Sequence, residues 1–146
     1  MKKCAGVASD HAGYQMKEFL TGYLAARGYE VVDYGCSSEE SCDYPDYAHP
    51  LALGVESGEV SLGIGLCGSG EGMAMTLNKH CGIRAGLAWC PEVAELTRRH
   101  NDANVLVLPA RFVTNDEAMA IVDAFLGTEF EGGRHIGRIG KMCVKG

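Results

Sequence analysis

At 146 residues, 47% hydrophobic and 22% charged, the chain has the size and composition of one ordinary globular domain, which excludes general disorder and fibrous repeats. A formal net charge of −6 argues against a nucleic-acid partner, because phosphate-backbone affinity needs clustered Lys and Arg, so any anionic ligand has to be gripped locally. No stretch approaches the ~20 apolar residues of a membrane span, and the N-terminal apolar run is broken by Ser9, Asp10 and His11, so no membrane partner and no signal peptide are expected and the protein is placed in the cytoplasm.

Short apolar runs alternate with helix-length segments. Lys3–Ala8 reads as the first strand, followed by Ser9-Asp10-His11. From Tyr14 to Arg27, Met16, Phe19, Leu20, Tyr23 and Leu24 recur at helical spacing, and Gly28 is the stop. Glu30–Tyr34 and Ser61–Leu66 read as the second and third strands. Cys67-Gly68-Ser69-Gly70-Glu71-Gly72 then leads into a helical pattern at Met73–Lys79. Ile83–Ala88 and Asn104–Leu108 supply the fourth and fifth strands, with His100-Asn101-Asp102 between the fourth helical pattern and the fifth strand, and Arg111 three residues beyond it. Thr114 and Glu117 have capping-box spacing ahead of Ala118, Ile121, Val122, Phe125 and Leu126. Such repetition predicts right-handed βαβ units and hence an α/β fold. The expectation is one three-layer αβα, Rossmann-like (flavodoxin-like) domain over residues 1–146 with a five-stranded parallel sheet, binding its ligand beyond the carboxyl ends of the strands. The tail after Gly127 lacks a core pattern, carries Arg134, His135, Arg138 and Lys141, and is expected to reach a partner subunit.

Cys4, Cys36, Cys42, Cys67, Cys81, Cys90 and Cys143 make an odd count without any C-x-x-C pair, so neither a zinc site nor a disulfide scaffold is expected, and the thiols read mainly as packing residues.

The run Gly68 to Gly72, between a strand and a helix, points successive backbone N–H groups at one spot and reads as an anion hole, although a tight turn is the plainer alternative. Gly63, Gly65 and Gly68 also match G-x-G-x-x-G, but the first two fall inside the predicted strand, and no acidic residue ends the next one. A P-loop fails because Glu71 and Gly72 stand where its Lys is needed, so neither ATP nor NAD is expected. Cys67, at a strand end before a helix N-terminus, suits a nucleophile or base as well as a packed thiol. Asp10 is either a helix cap or a ligand group, and His11 and His100 sit at strand or helix ends where an acid-base role is open to them. Arg111, Arg134 and Arg138 are either solvated or grip a phosphate, the last two sharing one face if their segment is helical.

Taken together, these residues resemble the ribose-5-phosphate isomerase B family, which also contains the galactose-6-phosphate isomerase subunits. The resemblance runs nearly end to end: A-S-D-H-A-G at Ala8–Gly13, D-Y-P-D-Y-A at Asp43–Ala48, G-L-C-G-S-G-E-G at Gly65–Gly72, N-K-H-C-G-I-R-A at Asn78–Ala85, R-H-N-D-A-N-V-L at Arg99–Leu106 and F-E-G-G-R-H at Phe130–His135. It implies an aldose-ketose isomerase for ribose 5-phosphate and ribulose 5-phosphate, needing no metal and no organic cofactor, in a homodimer, or a dimer of dimers, whose sites are shared between subunits. By resemblance Cys67, His100 and Ser69 are catalytic: Cys67 as the base and His100 as the group that opens the furanose ring. Gly68, Ser69, Gly70, Glu71 and Gly72 match the loop that holds the enediolate oxygen, and Asp10, Tyr44 and Asn101 lie near the sugar hydroxyls. His11, Arg111, Arg134 and Arg138 match positions around the phosphate. Ser69 stands where many relatives have Thr, and Glu71 replaces a residue usually apolar or neutral. A glutamate that is the base in one branch aligns with Met73. A hexose 6-phosphate substrate, such as allose or galactose 6-phosphate, and a non-catalytic sugar-phosphate binding module are the alternatives.

Overall fold

A computed structural model describes residues 3–144. In chain order the elements are β1 (Cys4–Ser9), α1 (Tyr14–Ala26), β2 (Glu30–Asp33), α2 (Pro45–Ser57), β3 (Leu62–Cys67), α3 (Glu71–Leu77), β4 (Ala85–Leu87), α4 (Pro91–Asn101), β5 (Val105–Pro109), α5 (Asn115–Gly127) and α6 (Arg134–Ile139). All strand pairs are parallel and the order is β2-β1-β3-β5-β4. The three-layer α/β expectation therefore holds, with the last two strands exchanged relative to a flavodoxin sheet. No helix of the described residues is long and apolar enough to cross a membrane.

Both faces of the sheet are covered, as a parallel sheet requires, and strand alternation decides which side chain goes where. Ala5, Val7, Ile64, Leu66, Leu106 and Leu108 pack against α1, α4 and α5 on one face. Ala8, Cys67, Val105 and Val107 pack against α2 and α3 on the other. That second face is paved with small residues because its helices sit close. A Cβ on Gly63 would come within 2.9 Å of Leu51 Cδ1, and one on Gly65 within 2.9 Å of Met73 Cγ. These two glycines are thus packing devices inside β3, which explains why their match to a dinucleotide fingerprint carries no binding function.

Local signals closed the helices much as expected. Thr114 and Glu117 form the capping box at the start of α5, with Glu117 N–H donating to Thr114 Oγ1 at 3.1 Å and Thr114 N–H donating to Glu117 Oε1 at 2.9 Å. α1 ends before Gly28, which takes φ +91°. Lys17, buried on α1, is held by Asp33 of β2 at 2.6 Å and Glu18 at 2.9 Å, so its charge is paired where water is excluded.

Three expectations need correction. Ser9 is the last residue of β1 and not part of the following turn, and His100 and Asn101 form the last turn of α4 and do not follow it. The tail carries the helix Arg134–Ile139, whose buried residue is His135, so the expected lack of a core pattern stands and Arg134 and Arg138 do share a helix. Two of the seven cysteines, Cys81 and Cys143, are joined as a disulfide with Cα atoms 5.3 Å apart, while Cys4, Cys36, Cys42, Cys67 and Cys90 are free. The pair was invisible in the spacing because the tail folds back onto the loop after α3.

Candidate active site

The carboxyl ends of β1, β3 and β5 open into a cleft of about 560 Å³ lined by Asp10, His11, Ala12, Tyr44, Cys67, Gly68, Ser69, Gly72, Arg111 and Phe112. It lies where the strand order reverses between β1 and β3, the position at which crossovers diverge and leave a crevice. Each wall has a local cause.

Asp10 follows β1 and caps the short turn His11–Gly13, its Oδ1 accepting from Ala12 N–H at 3.0 Å and Gly13 N–H at 3.2 Å. Its Oδ2 takes no hydrogen bond among the described residues. The cap and the ligand reading are therefore compatible, one oxygen for each. His11 Nδ1 accepts a hydrogen bond from Cys42 N–H at 3.2 Å, which places the proton of the neutral ring on Nε2 as a donor.

Cys67 ends β3. It is 4% exposed, carries a free thiol and belongs to the core cluster beneath α2 and α3 while also lining the cleft. Its carbonyl accepts from Ala110 N–H at 2.9 Å, and Arg111 N–H donates to Gly68 O at 3.0 Å, which ties the end of β3 to the loop after β5. Gly68, Ser69 and Gly70 donate their backbone N–H groups to nothing among the described residues. Three neighbouring unpaired donors beside a buried thiol are free to receive hydrogen-bond acceptors from a ligand.

Alternating glycines in this loop serve three separate demands. Gly70 has φ +80°, a left-handed conformation costly for other residues. Gly68 lets Arg111 lie flat, since a Cβ there would be 3.2–3.4 Å from the guanidinium and its stem, and Gly72 lets the Tyr44 ring rest on α3. Glu71 is exposed, its N–H donating to Ser69 Oγ at 3.2 Å, and neither it nor Gly70 lines the cleft.

The remaining expected residues form a second group. His100, Asn101, Arg134 and Arg138 do not line this cleft. His100, on the last turn of α4, stacks on His135 of α6 with ring centroids 4.5 Å apart and planes inclined by 16°. Arg134 and Arg138 are exposed on α6. Arginine ion pairs in the described residues involve Arg27, Arg84, Arg98 and Arg99, which leaves Arg111, Arg134 and Arg138 without a carboxylate partner. Unpaired guanidiniums in an acidic protein are available to an anionic ligand.

His100, Glu131 and His135 bring ligand atoms within 4.8 Å of one another, the kind of trio that can hold a metal. The nearly parallel rings argue against it. A metal has to lie in the plane of each imidazole it binds, and two stacked planes do not converge on one point without ring rotation. Burial, followed by the charges of His100 and Arg134, pushes His135 below its ordinary value. The sequence named His135 only within the tail and the F-E-G-G-R-H block, without a role of its own.

Residues 5–142 match the family described as ribose/galactose isomerase. Ribose-5-phosphate isomerase B of Escherichia coli is 47% identical over 139 residues, covering 95% of this chain and 93% of the relative. A crystal structure of a ribose 5-phosphate isomerase from Thermotoga maritima superposes with a TM-score of 0.94 at 48% identity, over 96% of this chain and 97% of that one. Ribose-5-phosphate isomerase B from Mycoplasma genitalium, whose structure contains bound ribulose 5-phosphate, gives a TM-score of 0.92 at 42% identity, over 97% and 95% of the two chains.

Proposed function

The chain belongs to the ribose/galactose isomerase family, and from that premise we propose how it works. It is an aldose-ketose isomerase interconverting ribose 5-phosphate and ribulose 5-phosphate. The reading is carried by one observation: a free thiol at the end of β3 lines a cleft beside three unpaired loop amides and the unpaired Arg111.

Cys67, as thiolate, removes the proton from C2 of the open-chain aldose, and the electron pair moves into a C1–C2 double bond as the carbonyl oxygen on C1 gains negative charge. N–H groups of Gly68 and Ser69, both in the cleft wall, hold that oxygen, with the Ser69 hydroxyl beside them. Donors fixed before the charge appears stabilise the transition state without reorganising, and losing one in comparable sites costs about 10²–10³ in turnover. Transfer of the O2 hydroxyl proton to O1 moves the charge to O2, and return of the proton from Cys67 to C1 as O2 becomes the C2 carbonyl gives the ketose. Asp10 and Tyr44 face the sugar hydroxyls, while His11 and Arg111 take the phosphate.

His100 opens the furanose ring, giving a proton to the ring oxygen as the C1–O4 bond breaks, while the anomeric hydroxyl releases its own proton to water and O1 becomes the carbonyl oxygen. Because His100, Asn101, Arg134 and Arg138 lie outside the cleft of their own chain, we assign them to the cleft of a second copy in a homodimer, where the two arginines complete the phosphate grip. Binding energy from the phosphate, remote from C1 and C2, orients the reacting carbons.

Deuterium exchange at C1 of ribulose 5-phosphate in D2O tests the base. Cys67→Ala should abolish it, and a variant exchanging at the wild-type rate would remove Cys67 from the mechanism.

A further inference from the structure

We propose that His135 is the positioning residue of His100, its buried ring holding the His100 imidazole in the orientation from which it acts on the sugar ring. The inference rests on the isomerase reading above, because it supplies a support for the ring-opening group.

An imidazole on the last turn of a helix, with its far end in solvent, rotates freely about its outer torsion. His100 is partly exposed in this way, but one face of its ring is covered by His135 at a centroid distance of 4.5 Å. His135 is only 5% exposed, so the covering ring is itself held by its surroundings. Stacking on an immobile flat group restricts the torsion that would otherwise spread His100 over several orientations, and misplacement of a reacting group is costly in rate.

The backbone is built to create this stack. Arg98 Nε donates to Thr128 O at 3.1 Å, and Glu131 N–H donates to Arg99 O at 3.0 Å, which pins the segment after α5 to the last turn of α4. Gly132 and Gly133 follow with φ +75° and +59°, left-handed values that reverse the chain and start α6. His135 then falls over His100. Four of the five residues in the E-G-G-R-H run are thereby accounted for: Glu131 pins the segment, Gly132 and Gly133 turn it, and His135 delivers the ring.

Filling space does not explain the histidine. Its Nε2 is buried and makes no hydrogen bond among the described residues, lying 3.8 Å from Glu131 Oε1. A buried polar atom without a partner is destabilising, so an apolar ring of similar size would serve packing better. Desolvation together with the neighbouring His100 and Arg134 charges favours the neutral form of His135. A neutral ring can face His100 while that imidazole carries the proton it gives to the sugar ring oxygen, whereas a second cation at that distance would oppose it.

The substrates themselves separate the two steps. The C5 oxygen of ribulose 5-phosphate is esterified, so this ketose cannot close a furanose ring, and its C1 exchange in D2O reports the Cys67 step without ring opening. Turnover of ribose 5-phosphate includes ring opening. His135→Ala should lower ribose 5-phosphate turnover about tenfold or more while C1 exchange stays within about twofold. His135→Phe, which retains a flat ring, should recover most of the lost turnover, and His135→Leu, similar in bulk but not flat, should not. Equal loss of both readouts in the variants that fold, or unchanged ribose 5-phosphate turnover in His135→Leu, overturns the proposal. Absence of C1 exchange in the unmodified protein overturns the isomerase reading instead.

Discussion

The Tyr44 ring lies so close to the backbone of Gly72 that a Cβ at residue 72 would come within 2.4 Å of the ring's Cζ. One residue in the first turn of α3 thereby sets the position of the aromatic side chain at the N-cap of α2.

Gly72→Ala should therefore displace Tyr44 from the cleft. Helical backbone at residue 72 accepts alanine, so the loss is one of placement: about tenfold or more in kcat/KM for ribose 5-phosphate, with a melting temperature changed by only a few degrees. Steady-state kinetics alongside thermal melts check this, and unchanged kcat/KM would mean that the ring has no part in binding.

The proposed sharing of sites between two copies makes a prediction about mixtures. Cys67→Ala and Arg138→Ala homodimers should both be nearly inactive. Unfolding and refolding them together at equal concentration should restore about a quarter of wild-type activity, because half the dimers are mixed and each has one intact site. No restored activity would place Arg138 and Cys67 in the same chain's cleft.

The Cys81–Cys143 disulfide joins positions 62 residues apart, a long loop whose closure restricts the unfolded chain. Cys143→Ser should lower unfolding stability by about 2–4 kcal/mol in urea without reductant. With a reducing agent present, wild type and variant should unfold together. Equal midpoints under both conditions would show that the bond contributes nothing to stability.

Burial of His135 sets the sign of a pH effect. Its folded value lies below the ordinary 6.5, so as pH falls through that region the unfolded chain takes up a proton that the folded chain resists. The resulting stability is fully present above about pH 6.5 and is lost as pH drops toward the lowered folded value. The melting temperature of His135→Phe should therefore fall less between about pH 7 and pH 5 than that of wild type. Parallel declines would show that His135 titrates alike in both states.

Much of the layout was legible because local burial leaves a periodic trace. The apolar spacing of Met16, Leu20 and Leu24 placed α1, the Thr114–Glu117 pair placed the start of α5, and the five apolar runs fell within two residues of the observed strands at their starts and ends. Gly63 and Gly65 were correctly separated from the loop glycines because a strand interior differs in pattern from a turn. Tyr44 entered by resemblance alone, since a single tyrosine has no periodicity, while Arg111, Arg134 and Arg138 stood out as cations in an acidic chain with a solvated and a phosphate reading both open.

What the residues determined unaided is the set of short-range events: where strands alternate, where helices start, and that Cys67 ends a strand ahead of a glycine-rich turn. Tertiary structure alone decided that β5 inserts between β3 and β4, that Cys143 meets Cys81, that His135 covers His100, and that the expected site residues divide between two regions of one chain. The reason is physical: hydrogen bonding and burial within a helix or strand act over a few residues and recur along the chain, whereas contacts between distant segments depend on how whole faces pack and leave no repeat to read.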